Sequence, residues 1–126
     1  MKLWIDDVRP APKDYIWCKS VEETKKCIEN AICSANVTIA DINATDSNDT
    51  VELEMLGKRL KYYEDILIDL DHDAGECVSD GGDYIKILDW LEETGRNYTI
   101  KIHSMNPVGV ENMRRIIQRN GWKEVK

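Results

Sequence analysis

The chain lacks the long apolar run that a membrane span requires. No stretch of its 126 residues approaches the roughly 20 consecutive apolar residues that cross a bilayer. Residues 1–7 become acidic too early for a secretory signal peptide. We therefore expect no membrane association and a cytoplasmic location.

Positive charge is also scarce. The chain has 17 Lys and Arg residues against 24 Asp and Glu residues, which gives a formal net charge of −7. Such a chain does not present the broad basic surface that binds duplex nucleic acid. Local recognition of one phosphate is still compatible with this charge, which favours a small phosphorylated ligand or an RNA end as the partner.

The four cysteines form no recognisable metal or disulfide pattern. They are Cys18, Cys27, Cys33 and Cys77. No two of them are spaced as Cys-x-x-Cys, and no histidine stands at zinc spacing from them. We expect neither a zinc site nor a disulfide framework, and interpret the thiols as buried or idle.

The remaining composition is that of a globular domain. Hydrophobic residues make up 42% of the chain and charged residues 33%, which excludes a disordered chain of low hydrophobicity. A chain of this length can bury one core but not two independent ones. We predict a single domain over residues 1–126, with an insertion at about residues 34–63.

Apolar runs alternate with helical patterns along the chain. The predicted strands are Lys2–Ile5, 15–18, 65–70, Thr99–Ile102 and a short edge strand within 122–125. The alternation of strands and helices predicts an α/β fold, a three-layer α/β/α sandwich with a mostly parallel sheet.

Capping residues mark where the helices begin. Ser20 and Glu23 match the capping box, so a helix should begin at Ser20. Asp83, after two glycines, is expected to cap a second helix. Asn106, followed by Pro107 at the favoured first position, is expected to cap the last one.

The predicted insertion is less regular. Residues 36–42 alternate like a strand, and residues 43–50 are small and polar, which predicts a surface segment with a flexible tip. Residues 51–63 fit a helix better than a strand, because Leu53, Leu56, Leu60 and Tyr63 follow the helical period.

Three polar clusters directly follow three of the predicted strands. They are Asp6-Asp7, residues 69–73 and residues 103–107. Because the carboxyl ends of parallel strands lie at one edge of a sheet, the clusters should converge on one site. Crowded carboxylates repel one another, and a hard cation such as Mg²⁺ stabilises them. The sequence therefore predicts a metal-dependent catalytic site.

Each cluster also has a purely structural interpretation. Asp6 and Asp7 would solvate a strand end, and residues 69–73 would form a solvated acidic loop; the spacing of an EF-hand calcium loop is missing. His103 would be a satisfied core residue, Asn106 only a helix cap, and Ser104 only a strand-end hydroxyl. In the functional interpretation, the helix that Asn106 opens offers free N–H donors to phosphate.

The arrangement resembles the receiver domain of response regulators. A receiver has paired acids after its first strand, an aspartate at the end of a central strand and Ser or Thr at the end of the next. Asp6-Asp7, Asp71 and Ser104 fit that pattern. A receiver also has a lysine after its last strand, and Lys123, in a short terminal segment, is a poor counterpart.

A closer resemblance is to the family of cyclic-phosphate processing receiver domains. It rests on Asp6-Asp7-Val8-Arg9-Pro10, Leu70-Asp71-His72-Asp73 and His103-Ser104-Met105-Asn106-Pro107. The resemblance covers most of the chain and fails mainly at residues 34–63. It implies a receiver-like, flavodoxin-like fold and a metal-dependent phosphoesterase that hydrolyses cyclic phosphates of nucleotides or RNA ends.

The resemblance also implies the metal ligands and the proton carriers. Asp6, Asp7 and Asp71 would hold Mg²⁺ or Mn²⁺. His103 or His72 would transfer protons.

The other motif residues are expected to support these groups. Asp73 would orient a histidine ring, and Arg9, Ser104 and Asn106 would stabilise the phosphate oxygens, so that Asn106 also belongs to the catalytic set. Asp69 has no counterpart in the motifs and receives no role. The alternatives are a signalling receiver that accepts a phosphoryl group on Asp71, and a non-catalytic module that binds nucleotides or phosphate.

Overall fold

The computed structural model describes all 126 residues and contains five strands and four α-helices. The strands are β1 (Lys2–Ile5), β2 (Ile16–Cys18), β3 (Leu67–Leu70), β4 (Thr99–Ile102) and β5 (Glu124–Val125). The helices are α1 (Val21–Ala44), α2 (Thr50–Glu64), α3 (Ile85–Glu93) and α4 (Pro107–Asn120), with a 3₁₀ helix at Gly75–Ser79. None of these helices combines the length and the hydropathy of a membrane span.

The strands form one parallel sheet in the order β2-β1-β3-β4-β5. This order confirms the predicted receiver-like, flavodoxin-type α/β fold. From β1 the chain moves outward in one direction to β2 and then returns to β3 on the other side. A sheet of this kind binds ligands at the carboxyl edge where the strand order reverses. Here that point lies between the ends of β1 and β3.

The main core lies on one face of the sheet. Alternate strand residues project to the same side, so Leu3 and Ile5 share a face with their register partners Ile68 and Leu70. These side chains are fully buried, and they belong to one cluster with residues of α1, α3 and α4: Val21, Ile28, Ala31, Ile87, Leu88, Leu91, Met113, Ile116 and Ile117. The opposite face carries the row Trp4, Asp69 and Lys101.

The first helix is longer than predicted. The prediction of a strand at 36–42 is wrong, because α1 continues to Ala44. The run Val37-Thr38-Ile39 has high β-propensity, but the segment pairs with α2 and is helical in that context. Thr38 is buried and its hydroxyl donates to the carbonyl of Ser34 at 2.8 Å. The helix predicted at 51–63 is confirmed as α2, and only residues 45–49 connect the two helices.

Two of the three predicted helix caps are confirmed. Ser20 Oγ accepts from the N–H of Glu23 at 3.1 Å, and Asn106 Oδ1 accepts from the N–H of Gly109 at 3.0 Å. The prediction for Asp83 is wrong. Its Oδ1 instead accepts from the N–H of Ala74 at 3.0 Å. Ala74 is fully buried, so this contact satisfies a donor that water cannot reach.

Candidate functional site

Three aspartates form a tight cluster at the carboxyl edge of the sheet. Asp6 and Asp7 follow β1, Asp71 follows β3, and one carboxylate oxygen from each lies within 4.8 Å of the others. Asp6 is 1% exposed, whereas Asp7 and Asp71 are half-buried. Carboxylates at this separation repel one another, so the cluster is stable only with positive charge close by.

Arg9 supplies positive charge to the cluster. Its Nε donates to Asp6 Oδ2 at 2.9 Å, and its Nη2 donates to Asp71 Oδ2 at 3.2 Å and to the carbonyl of His103 at 3.0 Å. The guanidinium therefore joins the ends of β1, β3 and β4. About half of the side chain, 48%, is exposed, so a ligand can approach it.

Asp6 is held by several donors. The backbone N–H groups of Val8 and Arg9 donate to its Oδ1 at 2.9 and 2.8 Å. Burial alone would raise the pKa of the Asp6 carboxyl, but these N–H groups, His103 and the Arg9 charge outweigh burial and lower that pKa below its ordinary value. Asp6 is thus an ionised carboxylate near neutral pH.

Asp7 lies against a glycine with a left-handed backbone. Gly75 has φ +53°, and a Cβ at this position would collide with the Asp7 carboxylate. The 3₁₀ helix that begins at Gly75 therefore approaches Asp7 more closely than any other residue type would allow.

His103 lies between two buried carboxylates. Its Nδ1 is 2.6 Å from Asp69 Oδ1, and its Nε2 is 3.0 Å from Asp6 Oδ2. The Trp4 indole stacks on the ring, with centroids 3.7 Å apart and planes 3° from parallel. Both ring nitrogens are occupied, and one face of the ring is covered.

His72 makes fewer hydrogen bonds than His103, although the two side chains are similarly covered, at 16% and 12% exposed. Its Nδ1 is 2.8 Å from Asp73 Oδ1, and its Nε2 makes no hydrogen bond within the protein. The ring packs on Gly109 in the first turn of α4, where a Cβ would come within 2.5 Å of the ring carbons. Asn106 Nδ2 lies 3.5 Å from the same ring.

The loop after β4 presents donors beside the carboxylates. Ser104 Oγ accepts from the N–H of Asn106 at 3.1 Å, and its own hydroxyl hydrogen has no partner in the protein. The oxygen of the Asn106 amide caps α4, and its NH₂ group, 3.5 Å from His72 Nδ1, keeps at least one hydrogen without a protein acceptor. A pocket of about 290 Å³ opens here, and it is lined by Arg9, Asp71, Asp73, Ser104, Met105 and Asn106.

The structure brings all the predicted site residues to this one edge. The three predicted metal ligands cluster, Asp73 contacts His72, and the predicted phosphate-binding residues line the pocket. The individual roles of these residues stay predictions. Sequence patterns assigned no role to Asp69 and did not point to Trp4 or Gly109. A carboxylate inside a strand of Ile and Leu was the available signal for Asp69, because a buried charge needs a partner.

The parallel sheet and the acidic cluster at its carboxyl edge define a receiver-type domain. The chain matches the family described as cyclic-phosphate processing receiver domain over residues 1–119, and it belongs to that family. The predicted family is thereby confirmed. No curated protein and no solved structure matches the chain.

Proposed function

We propose that this protein is a metal-dependent phosphoesterase that hydrolyses cyclic phosphates of nucleotides or RNA ends. The observation that carries the proposal is the meeting of three kinds of group at one edge of the sheet. A carboxylate cluster, phosphate donors and a histidine with a free nitrogen all lie at the carboxyl edge. Membership of a family concerned with cyclic-phosphate processing supports the choice of substrate class.

The donor set suits a hard divalent cation. Asp6, Asp7 and Asp71 offer only carboxylate oxygens, which are the ligands that Mg²⁺ and Mn²⁺ prefer. When bound, the ion would polarise a phosphoryl oxygen and lower the pKa of a coordinated water. Arg9 already shows that the cluster accommodates positive charge, through its contacts with Asp6 and Asp71.

The phosphate would be held by donor groups that keep at least one hydrogen without a protein acceptor. The Ser104 hydroxyl, the Asn106 NH₂ group and the exposed part of the Arg9 guanidinium face the same pocket. Hydrogen bonds from these groups would stabilise negative charge as it develops on the phosphoryl oxygens. The N-terminus of α4 adds the N–H of Val108, because Pro107 has no N–H and the Gly109 N–H is capped by Asn106.

His72 is our candidate for proton transfer. In the reaction a water oxygen bonds to phosphorus, one ester P–O bond of the ring breaks, and a proton passes to the leaving oxygen to give a monoester. The free Nε2 of His72 is suited to that transfer, and Asp73 fixes the ring by accepting from Nδ1–H. His103 has no free nitrogen for the same task.

A phospho-accepting receiver is the alternative that a specific observation favours. Asp71 directly follows β3, and its side chain is 17% exposed at the pocket. In that case acetyl phosphate would add one phosphoryl group to Asp71, detected by intact mass, and no phosphate ester would turn over. A non-catalytic module would bind cyclic-phosphate nucleotides without either change.

Phosphorus NMR of the purified protein with a panel of cyclic-phosphate nucleotides and RNA ends tests the proposal. We expect conversion to a monoester with Mg²⁺ or Mn²⁺, and loss of conversion with a chelator or with Asp71→Asn. The matched control is Asp41→Asn, which removes an exposed carboxylate on α1 that pairs with nothing. Intact substrates throughout the panel would contradict the proposal.

A further inference from the structure

One buried carboxylate beside the site has no role in the proposed chemistry. Asp69 lies within β3, is 3% exposed and faces away from the main core. Burying a carboxylate costs several kcal/mol unless a charged or hydrogen-bonding partner compensates. The partner that the structure provides is His103 Nδ1, at 2.6 Å.

We propose that Asp69 is a positioning residue. It holds the His103 ring so that Nε2 contacts Asp6, and it thereby fixes one carboxylate of the predicted metal site. The inference rests on the proposed function only in taking Asp6 as a metal ligand. It assigns His103 to the support of the site and leaves proton transfer to His72.

The position of the ring is determined on three sides. Asp69 contacts one nitrogen, Asp6 contacts the other at 3.0 Å, and Trp4 stacks on the ring in a nearly parallel plane. The His103 side chain is 12% exposed. A ring with both nitrogens committed to carboxylates cannot contact a substrate without first leaving them.

The sheet register explains why Asp69 reaches His103. Leu70 pairs with Ile102, and Asp69 pairs with Lys101, so the next residue on the same face of β4 is His103. The N–H of His103 donates to the carbonyl of Leu70 at 2.9 Å, which ties the two strand ends together. The backbone thus places both side chains at fixed positions.

His103 contacts Asp6 Oδ2, the carboxylate oxygen that receives no hydrogen bond from the backbone. The N–H groups of Val8 and Arg9 bind Oδ1, whereas His103 and the Arg9 side chain bind Oδ2. Outer partners of this kind typically change metal affinity by about 10- to 100-fold when they are removed. Loss of Asp69 should therefore appear first in metal binding.

The test is Mn²⁺ titration, followed by electron paramagnetic resonance, of the wild type, Asp69→Ala and Asp69→Asn. We expect about 10- to 100-fold weaker Mn²⁺ binding for Asp69→Ala. A smaller loss is expected for Asp69→Asn, whose amide oxygen still accepts from Nδ1–H. Glu92→Gln is the matched control, because Glu92 pairs with Arg119 away from the site. The Mn²⁺ affinity of this variant should stay within about twofold of that of the wild type.

A spectroscopic readout separates positioning from general damage. In ¹⁵N-labelled protein the Nδ1–H of His103 should give a protected resonance that is present in Glu92→Gln and absent in Asp69→Ala. A folded Asp69→Ala protein with wild-type Mn²⁺ affinity would overturn the inference. If it does not fold, Asp69→Asn decides: this variant should keep the ring resonance and bind Mn²⁺ more weakly than the wild type, and wild-type affinity would overturn the inference.

Failure of the proposed function gives a different result. Weakened Mn²⁺ binding in Asp69→Ala together with no turnover of any phosphate ester by the wild type would retain the positioning role and reject the phosphoesterase. Turnover by the wild type with unchanged Mn²⁺ binding in the Asp69 variants would support the phosphoesterase and reject the positioning role. A wild type that does not bind Mn²⁺ would overturn both.

Discussion

His72 and His103 lie on two flanks of one acidic cluster, and their surroundings differ. His103 contacts a buried carboxylate at each nitrogen and lies under the Trp4 indole. His72 contacts Asp73 at one nitrogen and leaves the other unbound. Two histidines in similar sequence motifs are therefore suited to different chemistry: the Nε2 of His72 is free to transfer a proton, whereas both nitrogens of His103 are bound.

The difference originates in the backbone positions of the two residues. His103 follows β4 directly, and its side chain lies on the same sheet face as Trp4 and Asp69. His72 lies beyond the end of β3, where the chain turns toward the 3₁₀ helix and packs on Gly109 of α4. Both ring nitrogens of His103 are bound at the strand end, whereas the Nε2 of His72 in the loop has no protein partner.

The largest effect should come from His72→Ala. Removing a general acid or base typically lowers the rate by about 10²- to 10⁴-fold. We expect a loss in that range in the rate of monoester formation, with Mn²⁺ affinity within about threefold of the wild type because His72 does not contact Asp6. If His72→Ala lost Mn²⁺ affinity as strongly as it lost rate, the separate roles of the two histidines would be contradicted.

His103→Ala should act chiefly on stability. The substitution leaves the buried carboxylates of Asp6 and Asp69 without a shared partner, and breaking a buried pair in this way costs about 3 to 5 kcal/mol. Urea unfolding followed by far-UV circular dichroism measures the loss. A change below about 1 kcal/mol would show that the ring is not the partner on which these carboxylates depend.

Gly109→Ala tests whether the position of the His72 ring matters for turnover. The new Cβ would come within 2.5 Å of the His72 ring and displace it from Asp73. We expect about a 10-fold loss of turnover, since small misplacement of a catalytic group costs up to about 100-fold. The matched control is Gly57→Ala in α2, where no atom lies within 4 Å of the added Cβ. That control should retain activity and gain up to about 1 kcal/mol of stability.

The smallest effect should come from Trp4→Leu. The substitution keeps an apolar side chain but removes the stack on His103, and aromatic pairs contribute about 0.5 to 1.5 kcal/mol beyond area burial. Thermal unfolding should show a loss in that range, with little change in His72-dependent turnover. A turnover loss as large as that of His72→Ala would contradict the separate roles of the two rings.

Local sequence patterns predicted most of the fold. The strand runs at β1, β3 and β4 are short, apolar and followed by polar clusters, and the caps at Ser20 and Asn106 are local signals. The strand predicted at 36–42 was wrong for a physical reason: these β-branched residues belong to α1, which packs against α2. Such tertiary context is not encoded in local propensity.

The candidate site was only partly predictable. Strand-end placement was enough to bring Asp6, Asp71 and His103 to one edge, because parallel strands share it. The pairing of Asp69 with His103 depends on the register between β3 and β4, which a single sequence does not reveal. The contact between Gly109 and His72 depends likewise on how α4 docks.

The most direct test of the account compares the turnover of His72→Ala and His103→Gln as Mn²⁺ is raised to saturation. Because His103 supports Asp6, we predict that His103→Gln recovers most of the wild-type rate once the metal is saturating. We predict that His72→Ala stays about 10²-fold or more below the wild type at every Mn²⁺ concentration. Recovery by His72→Ala, with His103→Gln inactive at saturation, would contradict the assignment of proton transfer to His72.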